Sequence, residues 1–147
     1  MAKAKKKKPK YNENSAIRSA VRRAFSRSPL VQEVLKDARS EQPKYNKDGS
    51  LAKKPSVFYT CAQCYNKFKG KHVAVDHIDP VIPIGEEFKD WNTFIFRLWC
   101  KKDNLQVLCS YKLKEADQYG GKNSCHHDKT QNERIARKAL TDLPDEN

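Results

Sequence analysis

Residues 57–64 read Val57-Phe58-Tyr59-Thr60-Cys61-Ala62-Gln63-Cys64, and here the chain changes character. Upstream, residues 40–56 hold Pro43, Gly49, Pro55 and several lysines with no apolar period, and read as a linker or long loop. Val57-Phe58-Tyr59 is a short run of β-branched and aromatic residues, a strand candidate. It leads into Cys61-x-x-Cys64, a spacing that lets one tight turn aim two thiolates at a single ion. A tetrahedral structural zinc needs two more ligands, and Cys109 and Cys125 are the candidates, at the edges of a later strand and a later helix. Between them Ser110–Ser124, with its lysines and Gly120-Gly121, reads as a looped-out insertion. Closure entropy depends only weakly on loop length, so the insertion need not spoil the site.

The five cysteines are an odd number, and no apolar stretch follows the N-terminal lysines as it would in an export signal. Metal ligands therefore fit better than a disulfide framework. A redox role for Cys61 and Cys64 would want a βαβ pattern that the sequence lacks. Cys100 is left over and reads as a small buried hydrophobe; His72 is a minor alternative as a zinc ligand.

Charge points to the partner. Thirty Lys and Arg against 18 Asp and Glu give a formal net charge of +12. Basic charge on this scale suits a polyanion, because each cation that meets a phosphate releases condensed counterions. The hydrophobic fraction of 37% implies a modest core that a metal staple would help. No apolar run approaches the ~20 residues of a membrane span. A cytoplasmic protein without a membrane partner is expected.

Three organisational units follow. Residues 1–14 are a basic tail, expected to be disordered, with Lys5, Lys6, Lys7 and Lys8 as phosphate contacts. Residues 15–56 are a helical arm and linker. Ser15 is a candidate N-cap, and Ile17, Ala20, Val21, Ala24 and Phe25 make an apolar stripe. Arg18, Arg22, Arg23 and Arg27 lie mostly off it, the first three as DNA contacts. Ser28-Pro29 is an N-cap with proline at the first helical position, opening a helix that carries Leu30, Val31, Val34, Leu35 and Ala38 inward. Residues 57–147 hold the chemistry. Val73–Ile78 and Leu105–Leu108 are strand candidates. Phe88, Trp91, Phe94, Ile95, Leu98 and Trp99 share a helical face read as core. A final helix starts near Cys125-His126 and runs through Ile135, Ala136, Ala139 and Leu140.

Three segments stand in an informative order: Val75-Asp76-His77-Ile78-Asp79-Pro80, then Asn104-Leu105-Gln106-Val107-Leu108-Cys109, then Cys125-His126-His127-Asp128-Lys129-Thr130. This order resembles the HNH nuclease family over roughly Tyr59 to Ala139. Trp91–Cys100, leading into Asn104, resembles small HNH proteins common in bacteriophages. The resemblance implies an α+β fold: a ββα-metal (His-Me finger) core with a zinc ribbon and N-terminal helices alongside. It also implies a DNA endonuclease that nicks or cuts both strands, with packaging or replication proteins as further partners in a phage-infected host's cytoplasm.

By the same resemblance, His77 is the general base, while Asp76 and His126 hold a catalytic Mg²⁺ or Mn²⁺. His126 is favoured over His127, because it directly follows the cysteine. Asn104 either joins that metal or holds the loop that aims His77. Asp79 is a turn or capping residue, and Lys129 either contacts phosphate or is a solvated helix charge. The chemistry suits these residue types: an imidazole can accept a proton near neutral pH, and a carboxylate is a hard ligand for Mg²⁺. A second function class fits the same composition, a non-catalytic zinc-dependent nucleic-acid-binding accessory protein. The presence of Asp76, His77 and His126 together favours the nuclease.

Overall fold

A computed structural model describes residues 10–142 of the chain. The expected tail contacts Lys5, Lys6, Lys7 and Lys8 lie outside them. The described residues make a mixed α+β structure with two small antiparallel sheets. None of its helices is long and apolar enough to cross a membrane.

Helix α1 spans Glu13–Ser26 and begins one turn earlier than expected. Asn12, not Ser15, is the N-cap, its side chain accepting from the Ser15 amide at 2.9 Å. Both are capping residue types, and the apolar stripe that begins at Ile17 does not choose between them. Helix α2, Pro29–Ala38, starts as expected, with Ser28 accepting from the Val31 amide. Val31 and Val34 are buried, while Leu30, Leu35 and Ala38 pack at the margin.

The expected linker is more ordered than its composition suggests. Strand β1, Arg39–Gln42, runs antiparallel to β2, Ser56–Thr60, with Arg39 opposite Tyr59 and Gln42 opposite Ser56. Tyr45 bridges Leu51 across a turn at Gly49, whose φ of 82° is open to glycine at no steric cost. Arg39-Ser40-Glu41-Gln42 has no apolar alternation, so β1 owes its conformation to pairing rather than to its own pattern. Strand β3, Lys67–Phe68, completes the sheet on the other edge of β2.

The second sheet pairs β4, Val73–His77, with β5, Leu105–Cys109. Asp76 stands opposite Gln106, and His77 opposite Leu105. Helix α3, Trp91–Leu98, lies between them in sequence and is capped by Asp90, which accepts from both the amide and the hydroxyl of Thr93. Helix α4, Cys125–Thr141, follows β5 and packs on it. The expected insertion is not a bare loop, since Leu113–Tyr119 forms a 3₁₀ helix.

Two apolar clusters organise the molecule. In the larger, Phe25, Val31 and Val34 of the N-terminal helices join Val81, Phe94, Leu98, Leu105 and Val107. Residues of the helical arm thus share a core with both later strands. The smaller cluster surrounds the cysteines, with Phe68, Leu108, Tyr111 and Tyr119. The aromatic stripe is only partly core: Phe94 and Leu98 are buried, but Ile95 and Trp99 are half exposed. In α4, Ile135 and Leu140 face outward, because the helix outruns the sheet beneath it.

Candidate functional site

The cysteine cluster is built on a turn. After β2, Tyr65 adopts a left-handed φ of 59°, and its amide donates to the Cys61 carbonyl at 2.9 Å, closing the loop around Cys64. The Ala62 amide donates to the Val107 carbonyl at 2.8 Å and hooks this turn onto β5. That contact brings Cys61 and Cys64 to Cys109, the last residue of β5. Cys125 arrives as the first residue of α4, its amide donating to Cys109 Sγ at 3.1 Å. The four sulfurs lie within 4.8 Å of one another. Four thiolates about 2.3 Å from a shared ion require separations of this order, so the set suits Zn²⁺. Cys100 stands apart and packs against the larger core.

Electrostatics of the cluster agree with a shared cation. Burial opposes ionisation of Cys61, but hydrogen bonds from the backbone of Cys64, Cys109 and Gln63 bring its thiol down to about 7. Burial, with the neighbouring sulfurs Cys61 and Cys64, pushes Cys109 up to about 11. Cys125 is pushed higher still by burial and by Cys109. One thiolate sits easily here, and further ones need a positive charge among them.

His72 does not stand in for a cysteine in this set. Its ring nitrogens meet the Tyr119 hydroxyl and, at 3.4 Å, the Glu115 carboxylate, so it ties the 3₁₀ helix of the insertion beside β4. Sequence reading gave that segment no such partner.

A second group of residues gathers where β4 ends. His77 is 7% exposed and packs its ring against Phe25 of α1, with centroids 5.1 Å apart. Its Nε2 donates to the Leu98 carbonyl at 2.8 Å, an assignment forced because a carbonyl can only accept. In the neutral ring, Nδ1 is therefore the free acceptor. Burial holds the His77 imidazole below its ordinary value, helped by Arg22 and Lys129 and opposed by the Leu98 bond and Asp76.

The backbone beyond His77 is clamped by Asn104. Its Oδ1 accepts from the Asp79 amide at 2.8 Å, its Nδ2 donates to the Asp79 carbonyl at 3.3 Å, and its own carbonyl accepts from the Ile78 amide at 2.9 Å. Both atoms of the side-chain amide are thereby used in holding the loop. Asp79 serves as the other half of this clamp through its backbone.

Lys129 is engaged within the protein, with its side chain 20% exposed. It lies on α4, donates to the His77 carbonyl at 2.9 Å, and pairs with Glu133 and with Asp76 Oδ2, the latter at 2.9 Å. The ammonium is thus the partner of the buried Asp76 Oδ2. Glu133 and Asp76 together hold the ammonium above its ordinary value despite burial.

Arg22, Asp76, His77 and His126 line one cavity of about 440 Å³, whose walls are otherwise largely apolar. His127 is exposed and does not line it. A second cavity, of about 600 Å³, shares Arg22, Asp76 and His77 and continues past Arg18 and Lys129 towards Arg137. Arg23 lines neither. The sequence singled out Arg22 only as one cation among many; its place beside Asp76 and His77 depends on how α1 packs, which no local pattern reports.

No protein-family model, curated protein or solved structure matches the chain. The reading of the site therefore rests on its chemistry.

Proposed function

We propose that the chain is a metal-dependent HNH-type endonuclease that hydrolyses DNA phosphodiester bonds, with a Cys₄ zinc site as its structural staple. The observation that carries this reading is the state of His77: a buried imidazole held neutral, with Nε2 engaged by a carbonyl, in a cavity shared with Asp76 and His126. A neutral imidazole fixed through one nitrogen offers the other as a proton acceptor. The β4-β5-α4 arrangement, with these residues at the end of β4 and the start of α4, supports the finer reading as a ββα-metal core.

A divalent cation fits the donors present. Asp76 offers a carboxylate, its Oδ2 at 2.9 Å from the Lys129 ammonium, and His126 offers a nitrogen in the same cavity, a mixed set that suits Mg²⁺ or Mn²⁺. When bound, the cation supplies positive charge where negative charge accumulates on the phosphate. The chain's own residues do the rest. His77 takes a proton from the attacking water as the bond to the leaving 3′ oxygen breaks. Asn104 acts on His77 by fixing the loop that follows it, a positioning role. Lys129 ties the end of β4 to α4 and so keeps Asp76 and His126 in register.

The test is cleavage of supercoiled plasmid with Mg²⁺ or Mn²⁺, comparing the purified chain with His77→Ala. Loss of the general base should slow single-turnover cleavage by ~10²–10⁴ with zinc content and DNA affinity retained. Equal cleavage by the variant would remove His77 from the chemistry. DNA binding without any cleavage by the parent chain would favour the zinc-dependent accessory protein.

A further inference from the structure

The cations around the two joined cavities are not equivalent. Lys129 is committed to Asp76, Glu133 and the His77 carbonyl. Arg137 donates to the carbonyls of Pro83, at 3.0 Å, and Ile82. Arg18 and Arg22 have no ion-pair partner among the described residues. They are not loose, however. The Arg22 guanidinium lies over the Phe94 ring at 5.4 Å from its centroid, and that of Arg18 over Phe88 at 5.8 Å. A guanidinium held over a ring can still turn N–H groups outward to phosphate oxygens; Arg18 Nε donates to the Asn14 carbonyl at 3.4 Å, which leaves its two terminal nitrogens for that role.

The carboxylates of the groove do not compete strongly for them. Glu86 is paired with Lys89 and Arg97, and Glu133 with Lys129, which leaves Glu87 and the partly engaged Asp76. Arg18 and Arg22 are four residues apart on α1, so they share one face about 6 Å apart along the axis. Arg22 lines both cavities beside Asp76 and His77, whereas Arg18 lines only the second.

We infer that α1 carries a two-arginine phosphate track, in which Arg22 grips the phosphate being cut and Arg18 grips a neighbouring phosphate of the same strand. The inference rests on the nuclease reading and deepens it. It moves α1 from general affinity into the reaction. The two non-bridging oxygens of the scissile phosphate gain negative charge in the transition state, and Arg22 is the uncommitted side-chain cation in the cavity that holds His77 together with His126. Arg18 does not reach that cavity, so its charge acts mainly on binding.

The experiment uses the full chain loaded with zinc, Arg22→Met and Arg18→Met, which keep an apolar stem over each ring, and Arg27→Met as a charge control lining neither cavity. Single-turnover cleavage of a short duplex is measured at saturating DNA with Mn²⁺. Affinity for the same duplex is measured across a salt series with Ca²⁺ in its place. Arg22→Met should cleave ~10²–10³-fold more slowly at saturation, a loss typical of removing one charge-stabilising donor. Arg18→Met should lose several-fold in affinity and flatten the salt slope by about one phosphate, with a rate loss at least tenfold smaller than that of Arg22→Met. Arg27→Met should cleave like the parent. Cleavage by Arg22→Met at the parent rate, in a parent that cleaves, would overturn the track and leave the nuclease reading intact. A parent that fails to cleave defeats the nuclease reading and the scissile role of Arg22 with it. Equal salt slopes for all four proteins would dispose of Arg18 and Arg22 as phosphate contacts in either case.

Discussion

At the scale of single residues, the proposed site is a set of fixed hydrogen bonds around one proton acceptor. Burial lowers the affinity of His77 for a proton, so its neutral form persists below the usual imidazole midpoint. Cleavage should rise with pH along a limb centred below 6.5 and be flat by neutrality, since a base works only when unprotonated. A rate still climbing tenfold per pH unit at pH 7.5 would contradict the lowered value. Asn104 offers a complementary test. Asn104→Asp keeps Oδ1 for the Asp79 amide but loses the donor to the Asp79 carbonyl and sets a carboxylate against it. The single-turnover rate should fall ~10-fold or more, while the Mn²⁺ concentration for half-maximal rate stays near that of the parent. A large rise in that concentration would instead make Asn104 a ligand.

At the scale of elements, what the sequence disclosed depended on where each element's information resides. Strand β4 carries β-branched Val73 and Val75 at alternate positions, β5 is a short apolar run around Val107, and Ser28-Pro29 marks a helix start by local chemistry alone, so all three were legible. Strand β1 was not, because Arg39-Ser40-Glu41-Gln42 becomes extended only by pairing with β2. Cys61 and Cys64 were legible from their spacing, Cys109 and Cys125 from their places at element edges, and the preference for His126 over His127 came only from the family resemblance. The place of Arg22 and the Lys129–Asp76 contact depend on packing between elements distant in sequence, which a linear pattern does not record. The cap at Ser28 is worth testing by itself: Ser28→Ala should cost about 1 kcal/mol, read as a shift of the urea midpoint at constant slope. Leu108, fully buried between the cysteines and Phe68, should cost about 3 kcal/mol as alanine. A loss below 0.5 kcal/mol would mean that the smaller cluster collapses freely around the gap.

At the scale of the whole molecule, the four-cysteine cluster is placed where a proposed zinc staple would compensate for a small core. Cys61→Ser should reduce zinc below one equivalent by elemental analysis and lower the melting temperature by on the order of 10 °C. An unchanged melting temperature would mean that the core suffices unaided. Removing residues 1–10 should flatten the salt dependence of DNA affinity, because that segment holds lysines able to neutralise phosphates. The start of α4 carries a further consequence. Cys125 opens the helix and His126 follows it directly, so capturing the last thiol and delivering the second proposed catalytic histidine are one event. Synthesis proceeds from the N-terminus, and Cys125 is the last cysteine to emerge from the ribosome. On the proposed reading, a nascent chain would be unarmed until Cys125 has left the ribosome and a metal ion has closed the cluster.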